Sequence, residues 1–305
     1  MDAFISYSSA NCAQVADIES YLEGKGLAVW RDRSEIQIGA LLREELHDAI
    51  SQSRSFILMW SEAASASRWV AAELISAVHL ERFILTCVLD GTPLPAFLQH
   101  TVYLDFHKQA SQQQELLDRL CRSVRGAPPQ SRTMRPVLSV QSPELKSIYN
   151  QVAHIQLEEL KLLGKWKVDE ARELHEKLDP LLKIVEERWR FDPGVYNLAA
   201  YHRKNAYMVK YWEEIQGGQP PQDPLLSNAE RLFFKALFLD PMDFNALNGI
   251  ASIFILEREL DAAQFFNERA IQLAQRIGIS YDAGIDDSNT IARLKGNPPA
   301  QSGPR

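Results

Sequence analysis

Up to about residue 126, short apolar runs alternate with amphipathic stretches. "DAFISYS" reads as a buried strand, and "NCAQVADIESYLEGKG" follows with Val15, Ile18, Tyr21 and Leu22 at helical spacing and Gly24 and Gly26 as its stop. "LAVWRD" is a second strand, and "ALLREELHDAISQS" a helix with Leu42, Leu46, Ala49 and Ile50 on one face. "RSFILMWS", "SRWVAAELISAVHLE", "RFILTCVLD", "TVYLDF" and "QQQELLDRLCRSV" continue as strand, helix, strand, short strand and helix. Strict alternation of this kind predicts an α/β unit: a flavodoxin-like, parallel five-stranded sheet with helices on both faces. Ligands of such sheets bind beyond the carboxyl ends of the strands. Here the loops at those ends are "SYSSAN", "RDRSEIQIG" and "WSEAASAS".

The rhythm changes after "GAPPQSRTMRP", which is rich in Pro and polar residues. Strands disappear, and long stretches with helical apolar spacing follow. The boundaries expected are 1–126 for the α/β unit, 127–142 for a linker, 143–295 for an all-α unit and 296–305, "GNPPAQSGPR", for a disordered tail. Pro180 falls inside one predicted helix and should kink or split it. "RFDPGVYNLA" (190–199) and "FLDPMDFNAL" (238–247) share Asp-Pro, an aromatic three residues after the Pro, and then Asn. Ala229 and Ala263 are 34 apart, as are Ala236 and Ala270. That period resembles tetratricopeptide repeats, in a degenerate form with an insertion near "IQGGQPPQDP". The resemblance implies a helical-repeat domain whose surface binds a protein or small-molecule ligand. An irregular helical bundle is the alternative.

Composition narrows the function classes. The formal net charge of −7 argues against general nucleic-acid binding. The apolar runs are too short to span a bilayer, and the N-terminus lacks the pattern of a signal peptide, so a cytoplasmic, non-membrane protein is expected. Three widely spaced cysteines form no metal-ligand pair, and Cys87 reads as a small buried apolar residue. The seven histidines show neither triad nor metal spacing. No metal site is assigned, and the histidines, Trp166, Trp189 and Trp212 are read as packing residues. There is no GxGxxG and no P-loop.

The order "DAFISYS", "GLAVWRD", a loop ending in Gly39, and "SRWVAAEL" resembles the TIR (Toll/interleukin-1 receptor) domain family over nearly all of residues 1–126. The specific elements are the first-strand box and W-x-x-x-E, here Trp69 to Glu73. The loop departs from the family pattern, with Ile38 before Gly39 where many members have Pro. Some TIR domains only bind other TIR domains. Others, of the bacterial NAD-cleaving kind, break the nicotinamide–ribose bond with a Glu at the position of Glu73. The resemblance therefore implies Glu73 as catalytic residue and NAD⁺ as substrate, with no retained cofactor. Loss of nicotinamide passes through an oxocarbenium-like ribose, which a carboxylate stabilises while accepting the nucleophile's proton.

Trp69 lies one helical turn from Glu73, and reads equally as a pocket wall or a core anchor. Tyr7, Ser8 and Ser9 follow the first strand, where hydroxyls and N–H groups meet phosphates. Arg31, Asp32 and Arg33 follow the second, where Arg suits a pyrophosphate. A solvated loop is the competing reading for all six.

The function expected is an NAD⁺ glycohydrolase or ADP-ribosyl cyclase of a TIR-type immune, anti-phage effector. It would be regulated by TIR self-association or by a ligand of the helical unit. The alternative is a non-catalytic TIR adaptor that joins proteins together. A third, less favoured reading is an interaction protein secreted into a host to interfere with TIR signalling.

Overall fold

Strands form where the apolar runs were read. In the computed structural model, which describes residues 1–31, 48–108, 112–126, 143–189 and 192–296, these are β1 (Ala3–Ser6), β2 (Val29–Arg31), β3 (Ser55–Trp60), β4 (Phe83–Val88) and β5 (Leu104–Asp105). All four pairings are parallel, in the order β2-β1-β3-β4-β5. Every residue of β1 and β3 is buried, as expected for strands covered on both faces. β5 keeps only two residues of "TVYLDF", and Val102 before it is exposed.

Side-chain alternation sorts the sheet residues onto two faces. Ala3, Ile5, Ile57, Met59 and Cys87 face α1 (Cys12–Gly24) and α5 (Gln113–Arg125), and pack with Val15, Ile18, Leu22, Leu116, Leu120 and Val124. Gly26, at φ +79°, ends α1, and Leu27 N–H closes back on the Leu22 carbonyl. On the other face Phe4 stacks between Trp30 and Phe56, with ring centroids 4.9 and 5.5 Å away. That face is covered by α4 (Arg68–His79), which packs on β1 and β4. Residues 48–52 are the described end of α2. The segment "WSEAASAS", expected as a loop, holds one short helix, α3 (Glu62–Ser65), because Ser61 accepts a hydrogen bond from Ala64 N–H and caps it.

The chain divides into two units, Met1–Met134 and Arg135–Arg305. The second is helical throughout its described residues: α6 (Pro143–Gly164), α7 (Val168–Arg188), α8 (Pro193–Lys210), α9 (Trp212–Gln216), α10 (Pro224–Leu239), α11 (Phe244–Leu256), α12 (Leu260–Arg276) and α13 (Asp282–Leu294). α8 packs on α6, α7 and α10, and α11 on α10, α12 and α13. Ala229, Ala236, Ala263 and Ala270 are all fully buried. Asp223 caps α10 through Leu225 N–H and takes hydrogen bonds from Lys210 Nζ and Tyr211 OH, each at 2.8 Å.

Three expectations change. Of the two outcomes expected at Pro180, a kink or a split, the split does not occur, and α7 runs through it. Pro180 and Glu176, whose carbonyl loses its helical partner to the missing N–H, are both exposed, so water can serve that carbonyl. The two Asp-Pro units do different work: Asp192 caps α8, whereas Asp240 follows the end of α10, and Asp243, three residues on, caps α11. Trp189 and Trp212 pack against apolar clusters, but Trp166 is 61% exposed and meets Trp212 edge-on at 6.3 Å. The expected linker, the tail beyond Gly296, the loop through Gly39 and the first part of the 40–53 helix lie outside the described residues.

Candidate functional site

The order 2-1-3-4-5 reverses direction between β1 and β3, and sheets of this kind bind ligands at such a switch point, outside the carboxyl ends of the strands. β1 ends there at Ser6 and β3 at Trp60. The two exits are joined by Ser61, whose hydroxyl donates to Asn11 Oδ1 at 2.7 Å. On the β4 side, Asp90 accepts from Glu62 N–H and Thr92 N–H. Burial alone would raise the Asp90 pKa, but hydrogen bonds from Thr92 and Glu62 outweigh it and hold the carboxyl below its ordinary value.

Glu73 enters this region from α4. Ser67 caps that helix through Val70 N–H, and the second helical turn then places Glu73 towards β1. Although a helical Glu is ordinarily solvated, Glu73 is only 5% exposed. Ser6 Oγ donates to its Oε2 at 2.6 Å. Alternation explains the partner: Ile5 faces α1 and α5, so Ser6 faces α4. A hydroxyl at the last position of an otherwise apolar strand fixes a buried carboxylate at the mouth of the sheet. Burying such a group is tolerable only with hydrogen bonds of this kind.

The other predicted residues separate. Trp69 is half-buried, with the Arg68 guanidinium 6.0 Å from its ring centre. Tyr7 packs in part against the α1/α5 core. Ser8 precedes the short 3-10 turn Ser9–Asn11 without a side-chain capping bond, and Ser9 is exposed. Arg31 ends β2, paired in register with Ile5. Asp32 and Arg33 lie outside the described residues. A cavity of about 260 Å³ opens beside β4 and β5, lined by Asp90, Thr92, Tyr103, Asp105 and Lys108 among others, and none of the predicted site residues lines it.

Sequence reasoning missed Ser6, Asn11 and Ser61. For Ser6 and Ser61 the signal was a polar residue at or just beyond the end of an apolar strand, whereas Asn11, further along the chain after β1, gave none. It also gave the histidines no chemistry, yet His175 and His202 stack face to face in the helical unit beside the buried Glu159.

Residues 3–121 match the model of the TIR domain family. Among solved structures the chain is similar to the TIR domain of the Toll-related Receptor TRR-2 from the lower metazoan Hydra magnipapillata. The identity is 22%, with 41% of this chain and 98% of that chain covered and a TM-score of 0.38. Comparison with curated proteins finds no match. Among the described residues no helix is long and apolar enough to cross a membrane. The family match, on a parallel sheet of order 2-1-3-4-5, makes residues 3–121 of this chain a TIR domain.

Proposed function

We propose that the TIR domain cleaves NAD⁺ at its nicotinamide–ribose bond, with Glu73 as the catalytic carboxylate. One observation carries this reading: a carboxylate buried at the topological switch point and held there by Ser6. The bond to Ser6 uses one of about four acceptor positions on the carboxylate and fixes its direction.

Nicotinamide leaves as a neutral ring with the electrons of the C–N bond, so the leaving group needs no acid. The ribose becomes oxocarbenium-like, and the negative charge of Glu73 stabilises it in a water-poor site, where that charge acts strongly. Water then bonds to the anomeric carbon and gives up a proton to Glu73, yielding ADP-ribose; attack by a group of the same molecule yields a cyclic isomer. Trp69, one turn away, walls the crevice.

TIR domains self-associate, and assembly is the natural control for a site edged by loops. A ligand of the helical unit is the second control, in keeping with an immune, anti-phage effector whose cytoplasmic NAD⁺ pool is its target. The test incubates full-length protein with NAD⁺ over a range of protein concentrations and separates the products. Nicotinamide release that rises more than linearly with concentration is expected. No release at any concentration favours the adaptor.

A further inference from the structure

Three helices of the second unit bring together a cluster that the TIR activity does not use. Glu159 comes from α6, His175 and Asp179 from α7, and His202 and Asn205 from α8. Glu159 is fully buried and His202 is 9% exposed. Glu159 Oε1 lies 3.0 Å from His175 Nδ1, and Glu159 Oε2 accepts from Asn205 Nδ2 at 2.6 Å. His202 Nε2 lies 2.7 Å from Asp179 Oδ1. The two imidazoles stack with centroids 3.9 Å apart and planes 9° from parallel. His202 Nδ1 is buried with no hydrogen-bond partner, and so is Asn205 Oδ1.

We infer that Glu159, His175 and His202 form a binding site for a divalent transition-metal ion, zinc in the first place. One ligand atom from each already lies within 4.8 Å of the other two. Two imidazoles and one carboxylate are a donor set that zinc favours, and three protein ligands leave a fourth position for water. The surroundings are those of a metal site. Asp179 holds the far nitrogen of His202, and Asn205 holds the far oxygen of Glu159, as outer partners do when they orient ligands. A buried ring nitrogen without a partner is costly, and an ion would satisfy it.

An ion lies in the plane of each imidazole that binds it. Rings this nearly parallel cannot share one ion, so binding must tilt one ring and open the stack. The ion would thereby pin α6, α7 and α8 to one another, in the unit proposed to respond to a ligand.

The experiment uses the full chain freed of metal by a chelator and titrated with Zn²⁺ in a calorimeter and Co²⁺ in a spectrophotometer, with Cys12→Ser as background. One ion per chain is expected. Cobalt should give visible bands without the near-ultraviolet absorption of a thiolate. Zinc should raise the melting temperature, and the ring protons of His175 and His202 should shift in NMR. Glu159→Gln and His202→Gln should weaken binding by about 100-fold or more, and Asp179→Asn by about tenfold. Asp179 is 66% exposed on its side chain, so that variant folds whatever becomes of the buried ones. No saturable binding at micromolar ion overturns the inference. Binding that Asp179→Asn leaves unchanged, with both histidine signals unmoved, overturns it equally.

Discussion

Gly249 sits in α11 against the ring of Phe233 from α10, and a methyl group there has nowhere to go. An ideal Cβ on Gly249 would stand 2.3 Å from Phe233 Cε1 and Cζ and 2.7 Å from Cδ1. Phe233 cannot easily give way: it is fully buried, and Tyr201 holds it edge-to-face at 4.8 Å. In an exposed helix, Gly→Ala gains about 1 kcal/mol from propensity. Overpacking a dense core costs about 1–3 kcal/mol, occasionally more, and contacts this short belong at the upper end. Gly249→Ala should therefore destabilise the helical unit by about 2 kcal/mol net. For a unit of this size that is a fall of about 4–8 °C in its melting transition. Differential scanning calorimetry of the full chain measures it, and the TIR transition should stay in place. Phe233→Leu makes room, so the double variant should recover more than 1 kcal/mol of the sum of the two single losses. A Gly249→Ala protein as stable as its parent would show instead that the Phe233 ring is free to move.

Ser6→Ala removes a hydrogen bond to a buried carboxylate; it should cost about 1.5–3 kcal/mol in the melting of the TIR domain and lower NAD⁺ turnover along with it. Unchanged melting would mean that the bond adds nothing. The Asp223 pKa is lowered to about 2, first by the hydrogen bond from Lys210, then by Leu225 N–H and Tyr211. Because the folded value lies below the ordinary 3.8, the stabilisation is complete above about pH 4 and is lost as pH falls towards 2. Asp223→Asn should melt lower than the parent at pH 6, and the gap should close between pH 4 and 2; a constant gap contradicts this. In the native protein a thiol reagent at neutral pH should modify Cys12 alone. Cys12 is exposed, while Cys87 and Cys121 are buried and burial pushes the Cys87 thiol up to about 12. Rapid modification of a second cysteine would show that the sheet core opens.

The apolar runs made the sheet legible, because a strand buried on both faces needs uninterrupted apolar residues, as "SFILMW" shows. W-x-x-x-E pointed to Glu73, but its partner did not show: Ser6 and Glu73 are 67 positions apart, and only strand alternation and helix packing bring them together. The 34-residue spacing found four buried alanines, yet the Asp-Pro match hid the cap of α11, because the helix begins at Phe244 rather than just after Pro241. The histidines looked inert because 27 residues separate His175 from His202, on different helices, and spacing rules see only one element at a time. Pro180 does not end α7, because an exposed helix face tolerates the bond its local rule removes.

Glu73→Gln separates the chemistry proposed for Glu73 from its packing. The direct measurement compares the full-length parent with Glu73→Gln at the highest concentration of the assembly series, following nicotinamide release from NAD⁺ with circular dichroism on the same samples. The amide accepts from Ser6 as the carboxylate does, so the fold should survive, but it carries no charge to stabilise the ribose cation and takes up no proton. Nicotinamide release by the parent, and none above background by the folded variant, is the expected result. Equal release by both would contradict it.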